Sequence, residues 1–196
     1  MIVSVASFKG GVAKTTTAVH LAAYLQTFGP TVLVDYDPNR SATKWHSKGN
    51  LSVPVIGEMQ LAREAKRYEH IVGDTEAKEG EIHDLVVGAD LIVVPTTPDI
   101  LALEGTLETI DALKNAGGEN FKVLLAVIPP APSRDGEDAR EMIKKAGIPL
   151  FKNWIRRFVA FKRAPEVGCL VGEMSGEPHA ADGAADYHAV GREILK

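Results

Sequence analysis

A chain of 196 residues, 45% hydrophobic and 24% charged, carries about one globular domain, and a domain of that size buries roughly 70% of its unfolded surface without staples. A single cysteine, Cys169, excludes a disulfide framework and a cysteine-based zinc site. No run approaches the roughly 18 apolar residues of a membrane span, and Met1 leads straight into Ile-Val-Ser-Val without a basic leader, so we expect no secretory signal and a cytoplasmic location. In chain order, Ile2–Ser7 reads as a strand and Thr16–Phe28 as a helix, with Ala18, Leu21, Ala22, Leu25 and Phe28 on one face and Gly29-Pro30 as its stop. Thr31–Asp35 is the next strand, Val53–Ile56 a weaker one, and a polar helix lies near Gln60–Arg67. His70–Gly73, Leu91–Val94 and Val123–Ile128 are apolar runs, separated by helical stretches at Glu81–Val87, Ile100–Asn115 and Glu137–Ala146. A short strand near Leu150–Ile155, a helix around Val159–Glu166 and a last helix at Asp186–Leu195 complete the chain. Strands apolar along their whole length are buried on both faces, so the expectation is one α/β domain over residues 1–196, a mostly parallel sheet with helices on each side.

In such a sheet, ligands bind beyond the carboxyl ends of the strands. The loop there after the first strand is Phe8-Lys9-Gly10-Gly11-Val12-Ala13-Lys14-Thr15-Thr16. Two glycines allow a tight turn in which successive N–H groups converge on an anion; Lys14 neutralises phosphate oxygens, and the Thr15 hydroxyl is placed for Mg²⁺. The pattern G-x-x-x-x-G-K-[ST] is not met, because Phe8 and Ala13 stand where its glycines belong; Lys-Gly-Gly-x-x-Lys-Thr is met instead, with a second lysine five residues before the phosphate lysine.

That loop resembles the deviant Walker A box of the ParA/MinD family of ATPases, in which Lys9 matches the signature lysine. Asp35-Tyr36-Asp37-Pro38-Asn39-Arg40-Ser41-Ala42-Thr43 is similar to the family's D-x-D-P-Q-x-S-A-T segment, with Asn39 in place of Gln, and Ile71-Val72-Gly73-Asp74-Thr75 resembles its Walker B strand. The stretch from Arg156-Arg157-Phe158 to Gly168 resembles the basic region before the family's last helix. The likeness covers most of the chain and is nearest to short, single-domain partition proteins. It implies a P-loop-type fold and a Mg²⁺-dependent, slow, partner-stimulated ATPase. Gly10, Gly11, Val12, Ala13, Lys14, Thr15 and Thr16 would bind ATP, while Thr15, Asp37 and Asp74 would hold the metal. Asp37 would orient the attacking water, and Asp35 would stand behind it. Lys9 would reach the nucleotide of a facing subunit, so that ATP drives homodimerisation. Ala13 puts a methyl where the family has glycine, which makes a positive φ costly there.

The net charge of −4 hides one segment: from Lys144 to Arg163 there are seven bases (Lys144, Lys145, Lys152, Arg156, Arg157, Lys162, Arg163) and no acid. Lysine and arginine contacts to phosphates suffice for sequence-neutral DNA binding, and the resemblance implies a nucleoid-associated protein that moves a plasmid, chromosome or protein compartment with a ParB-like or cargo-adaptor partner. The interleaved aromatics Phe151, Trp154, Phe158 and Phe161 are spaced for a packed face. Two alternatives share the fold: a MinD-like membrane ATPase, which the short, weakly basic C-terminal segment disfavours, and a metabolic P-loop enzyme, which lacks a counterpart of Lys9. A nucleotide-locked DNA scaffold that scarcely turns over is a third.

Overall fold

β-Branched, apolar runs make strands that must be covered on both faces, and the computed structural model, which describes residues 1–196 apart from the Glu79 side chain, shows that arrangement. β1 (Ile2–Ser7), β2 (Thr31–Asp35), β3 (Val55–Ile56), β4 (His70–Glu76), β5 (Leu91–Thr96) and β6 (Phe121–Leu125) form one parallel sheet in the order β3-β2-β4-β1-β5-β6. The helices are α1 (Lys14–Gln26), α2 (Ser41–His46), α3 (Glu58–Glu64), α4 (Ile82–Gly88), α5 (Ile100–Asn115), α6 (Asp135–Lys145), α7 (Ala160–Val167) and α8 (Ala180–Ile194). Alternate residues of a strand serve opposite layers: Val3 and Val5 join α1 and α8 in one apolar cluster through Leu21, Leu25, Tyr187 and Val190, whereas Ala6 joins the other with Leu103, Ile110 and Ile143. From β1 the chain places β2 and the edge strand β3 to one side, returns to insert β4 between β2 and β1, and then crosses to β5 and β6 on the other side. That reversal opens the crevice at the carboxyl end of β1.

Several expectations shift at element ends. α1 stops at Gln26, so Phe28 lies beyond it and is 57% exposed rather than on the core face. Gly29 is not left-handed; the stop is made by Thr27, whose hydroxyl donates to the Tyr24 carbonyl at 2.7 Å, while the Glu69 carboxylate packs close over Gly29. No strand forms over Leu150–Ile155; that segment meets the edge of the sheet by two single bridges, Val123 to Leu150 and Ile128 to Arg156. Glu193 holds it there, accepting from the amides of Lys152 (2.9 Å) and Asn153 (2.8 Å) and from Asn153 Nδ2 (2.7 Å). α8 begins at Ala180, earlier than the apolar periodicity indicates, and α2 escapes sequence reading because Ser-Ala-Thr-Lys carries no helical stripe.

Candidate functional site: a phosphate loop between two lysines

The site starts where α1 starts. Ala13, its N-cap, takes φ 67° and ψ 30°, a left-handed conformation that no side chain supports; for a residue with a Cβ this costs roughly 1–2 kcal/mol. The first intrahelical bond runs from Thr17 N to Ala13 O at 2.9 Å, which leaves the amides of the first turn to a ligand. No acidic residue occupies that turn, so the positive end of a 13-residue helix and the Lys14 ammonium share one anion-attracting field. Lys14 Nζ donates to the Lys9 carbonyl at 3.0 Å. Lys9 takes another course: its stem lies flat against Gly105 of α5, where a Cβ would meet Lys9 Cβ at 3.4 Å and Cδ at 3.6 Å, and its charge reaches Asp99 at the head of that helix.

Facing the loop are the carboxylates at the ends of β2 and β4, which are register partners at Asp35 and Asp74. Asp35 is committed to structure on one side: Oδ2 accepts from Thr43 N (2.8 Å) and the Thr43 hydroxyl (2.6 Å), anchoring α2. Asp37 is buried at the cleft and accepts from Asn39 N at 2.7 Å through Oδ1. Asp74 has no exposed surface and neither of its oxygens has a hydrogen-bond partner, nor has Asp35 Oδ1. Burial pushes the Asp74 pKa up to about 7; the nearby Thr15 hydroxyl, which does not complete a well-formed bond, and Lys14 pull it down, while the charges of Asp35 and Asp37 push it up. Orphaned carboxylate oxygens beside a threonine hydroxyl fit a divalent cation. Among the described residues no three His, Cys, Asp or Glu side chains form a cage, so the donor set suits Mg²⁺, which keeps several waters and completes its shell with phosphate oxygens.

Above the carboxylates lies a cleft of about 450 Å³ lined by Gly10, Gly11, Ala13, Lys14, Thr15, Thr16, Asp37, Asn39, Ser41, Trp45, Glu76 and Pro165. The sequence-derived loop residues and Asp37 therefore meet at one place, with Asp74 beneath them and Val12 buried under the turn. Glu76 was missed, although it follows Asp74 by two residues on the same strand, the spacing of one face. Pro165 of α7 has no local signal, being brought in from the far end of the chain. The return path is held by two buried bonds: Trp45 Nε1 donates to Cys169 O at 3.1 Å, and Val171 N donates to His20 Nε2 at 3.1 Å. His20 Nδ1 lies 2.7 Å from Thr16 O, so the ring is the neutral Nδ1–H tautomer, stacked on Tyr187. Burial lowers its pKa to about 4, partly offset by the Thr16 carbonyl and reinforced by His188.

The basic segment is not one patch. α6 runs from the cleft end of the sheet to the opposite end, so Lys144 and Lys145 lie away from the loop, whereas Arg156, Arg157, Lys162 and Arg163 return to the cleft end with Lys152 between. Acids from elsewhere answer three of the seven: Arg156 binds Asp186 at 2.8 Å, Arg163 binds Glu177 at 2.6 Å, and Lys145 lies 3.6 Å from Glu141. Among the described residues Lys144, Lys152, Arg157 and Lys162 have no carboxylate within salt-bridge distance. The interleaved aromatics are packed: Phe151 is buried, Trp154 lies under Arg140, Phe158 stacks on His179, and Phe161 meets His20 edge-on.

Residues 3–171 match the model of the CobQ/CobB/MinD/ParA nucleotide binding domain. Over 202 aligned residues the chain is 33% identical to maintenance of carboxysome distribution protein A of Gloeobacter kilaueensis, covering 98% of this chain and 93% of that one. In fold it matches a Cyanothece McdA variant in complex with ATP (TM-score 0.76, 16% identity, 99% of this chain and 95% of that one). It also matches the septum site-determining protein MinD of Pyrococcus horikoshii complexed with Mg-ADP (TM-score 0.73, 16% identity, 100% and 96%).

Proposed function

The chain belongs to the CobQ/CobB/MinD/ParA nucleotide-binding family, and from that premise we propose that it is a ParA-type ATPase that positions a cargo. Two copies close face to face on ATP, the dimer binds DNA through phosphate contacts without reading sequence, and hydrolysis, slow until a partner stimulates it, releases the DNA. The kinship with a carboxysome distribution protein supports a protein compartment as the cargo and an adaptor on that compartment as the partner. The observation that carries the reading is the divergence of the two lysines: Lys14 turns into its own loop, and Lys9 runs outward along α5. A cation held off its own phosphates is available to a neighbour's, where it acts as an arginine finger does.

Phosphoryl transfer asks for position and charge neutralisation more than for covalent chemistry. The free amides of the loop and first turn, with Lys14, hold the β- and γ-phosphates. When bound, Mg²⁺ would supply Lewis-acid neutralisation of the charge that develops on the phosphates. Thr15 would supply a ligand for it, and Asp74, buried with both oxygens unpartnered, would hold it from beneath. Asp37 keeps Oδ2 free of the Asn39 contact and orients the attacking water. α8 spends its apolar face on α1, with Tyr187 and Val190 buried, which does not favour the membrane-associated alternative.

The test is oligomeric state with a non-hydrolysable ATP analogue, read by light scattering. The unaltered protein dimerises; Lys9→Ala stays monomeric yet binds a fluorescent ATP analogue; Asp37→Ala dimerises but loses about 100-fold or more in turnover. An unaltered protein that remains monomeric with analogue bound overturns the reading.

A further inference from the structure

The cross-subunit role of Lys9 raises the question of what aims it, because a lysine stem has four rotatable bonds. Two residues of α5 stand beside it, Gly105 against the stem and Thr109 against the backbone just before it. Phe8 follows the last residue of β1, so its amide has left the ladder and needs an acceptor. The Thr109 hydroxyl provides one at 3.2 Å and donates its own proton to the Gly105 carbonyl at 2.8 Å. Thr109 is fully buried, so water does not replace it. Lys9 N is held in turn by the Ser7 hydroxyl at 3.2 Å, also fully buried. One helical turn from Thr109, the missing side chain of Gly105 leaves the channel in which the Lys9 stem lies.

We propose that Thr109 and Gly105 are positioning residues for Lys9, Thr109 by fixing the backbone at Phe8 and Gly105 by leaving the groove that directs the stem outward along α5. The inference rests on the cross-subunit reading of Lys9. It separates two duties within one loop: residues from Gly10 onward hold the chain's own nucleotide, while α5 sets the lysine meant for the other copy. Damage to the seat therefore weakens dimerisation and spares nucleotide binding by the monomer.

The experiment compares Thr109→Val, Thr109→Ser and Gly105→Leu with the unaltered full chain and with Lys9→Ala. The dimer dissociation constant is read by sedimentation with AMPPNP, and monomer affinity by a fluorescent ATP analogue. Valine keeps the shape of threonine but cannot accept from Phe8 N; leucine fills the groove while raising helix propensity. Thr109→Val and Gly105→Leu should each weaken dimerisation about tenfold or more with monomer affinity within about threefold, the scale expected of a misaimed group. Thr109→Ser should restore it. Normal dimerisation by Thr109→Val, or no restoration by Thr109→Ser, overturns the inference. Should Thr109→Val fail to fold, Gly105→Leu decides: undiminished dimerisation overturns the inference, and weakened dimerisation with an unlowered melting temperature supports it. If Lys9→Ala itself dimerises fully, the reading beneath falls and takes this one with it; if only the seat variants dimerise normally, the reading of Lys9 stands and the seat does not.

Discussion

Ala13 is where the phosphate loop stores strain, at φ 67° with no capping bond. Glycine removes the clash but also loosens the unfolded chain by about 0.4–1 kcal/mol, so Ala13→Gly should stabilise the nucleotide-free protein by about 0.5–1 kcal/mol, measured by urea unfolding. Two buried ionisations add a pH signature. His20 has its pKa lowered to about 4 from 6.5, so between those values the unfolded chain binds the proton and the folded one does not; stability contributed by the neutral ring is present above pH 6.5 and is lost as pH falls towards 4. Asp74 works in the other direction: its pKa is raised to about 7 from 3.8, the folded state holds the proton over that interval, and stability falls as pH rises through it. Each effect is on the order of 2–4 kcal/mol at full extent, and they oppose each other from about pH 4 to 6.5. Unfolding titrations should show Asp74→Asn with a stability that climbs steeply with pH in that interval, and His20→Gln with one that declines. Similar slopes in both variants would mean that neither group is buried as described.

At the scale of elements, the sequence-derived strands at Ile2–Ser7 and Thr31–Asp35 and the helix at Ile100–Asn115 match the structure residue for residue, because continuous β-branched runs and a long 3.6-residue period are strong local signals. The Leu150–Ile155 segment misled for the same reason: its residues favour a strand, but it docks by isolated bridges and a few backbone bonds to Val123, Leu125 and Ile128, and the Glu193 carboxylate of α8 fastens its middle. Glu193→Ala should cost about 2–3 kcal/mol, since it frees two backbone amides and an asparagine from a charged acceptor. Hydrogen exchange should rise first over residues 152–157. Uniform exchange across the sheet would show instead that Glu193 supports the whole domain.

Across the whole molecule, charge counted along the chain and charge displayed in space differ. Seven bases without an acid form a run of sequence, but folding pairs Arg156, Arg163 and Lys145 with acids from α8, the segment before it and α6. If the dimer holds DNA, its salt slope follows the unpaired cations. Lys162→Ala or Arg157→Ala should lower affinity across unrelated sequences and reduce the slope of log K against log salt by about one or more ions, measured by fluorescence anisotropy. Lys145→Ala, remote from the cleft and next to Glu141, should leave both nearly unchanged. An equal loss from all three would mean a diffuse field with no defined contact surface.

Part of this protein's site is written along the chain. The Lys9 to Thr16 loop, Asp37 and Asp74 stand at strand ends, and in a parallel sheet strand ends converge, so local pattern was enough to bring these side chains to one cleft. Tertiary structure alone decided what crosses the chain. It carried Pro165 to the cleft rim and His20 and Trp45 to the Cys169–Val171 backbone, laid the Lys9 stem on Gly105, and took two cations, Arg156 and Arg163, out of the basic segment. Those contacts join residues separated by 14 to 151 positions. They depend on how helices pack on a finished sheet, which no window along the sequence contains.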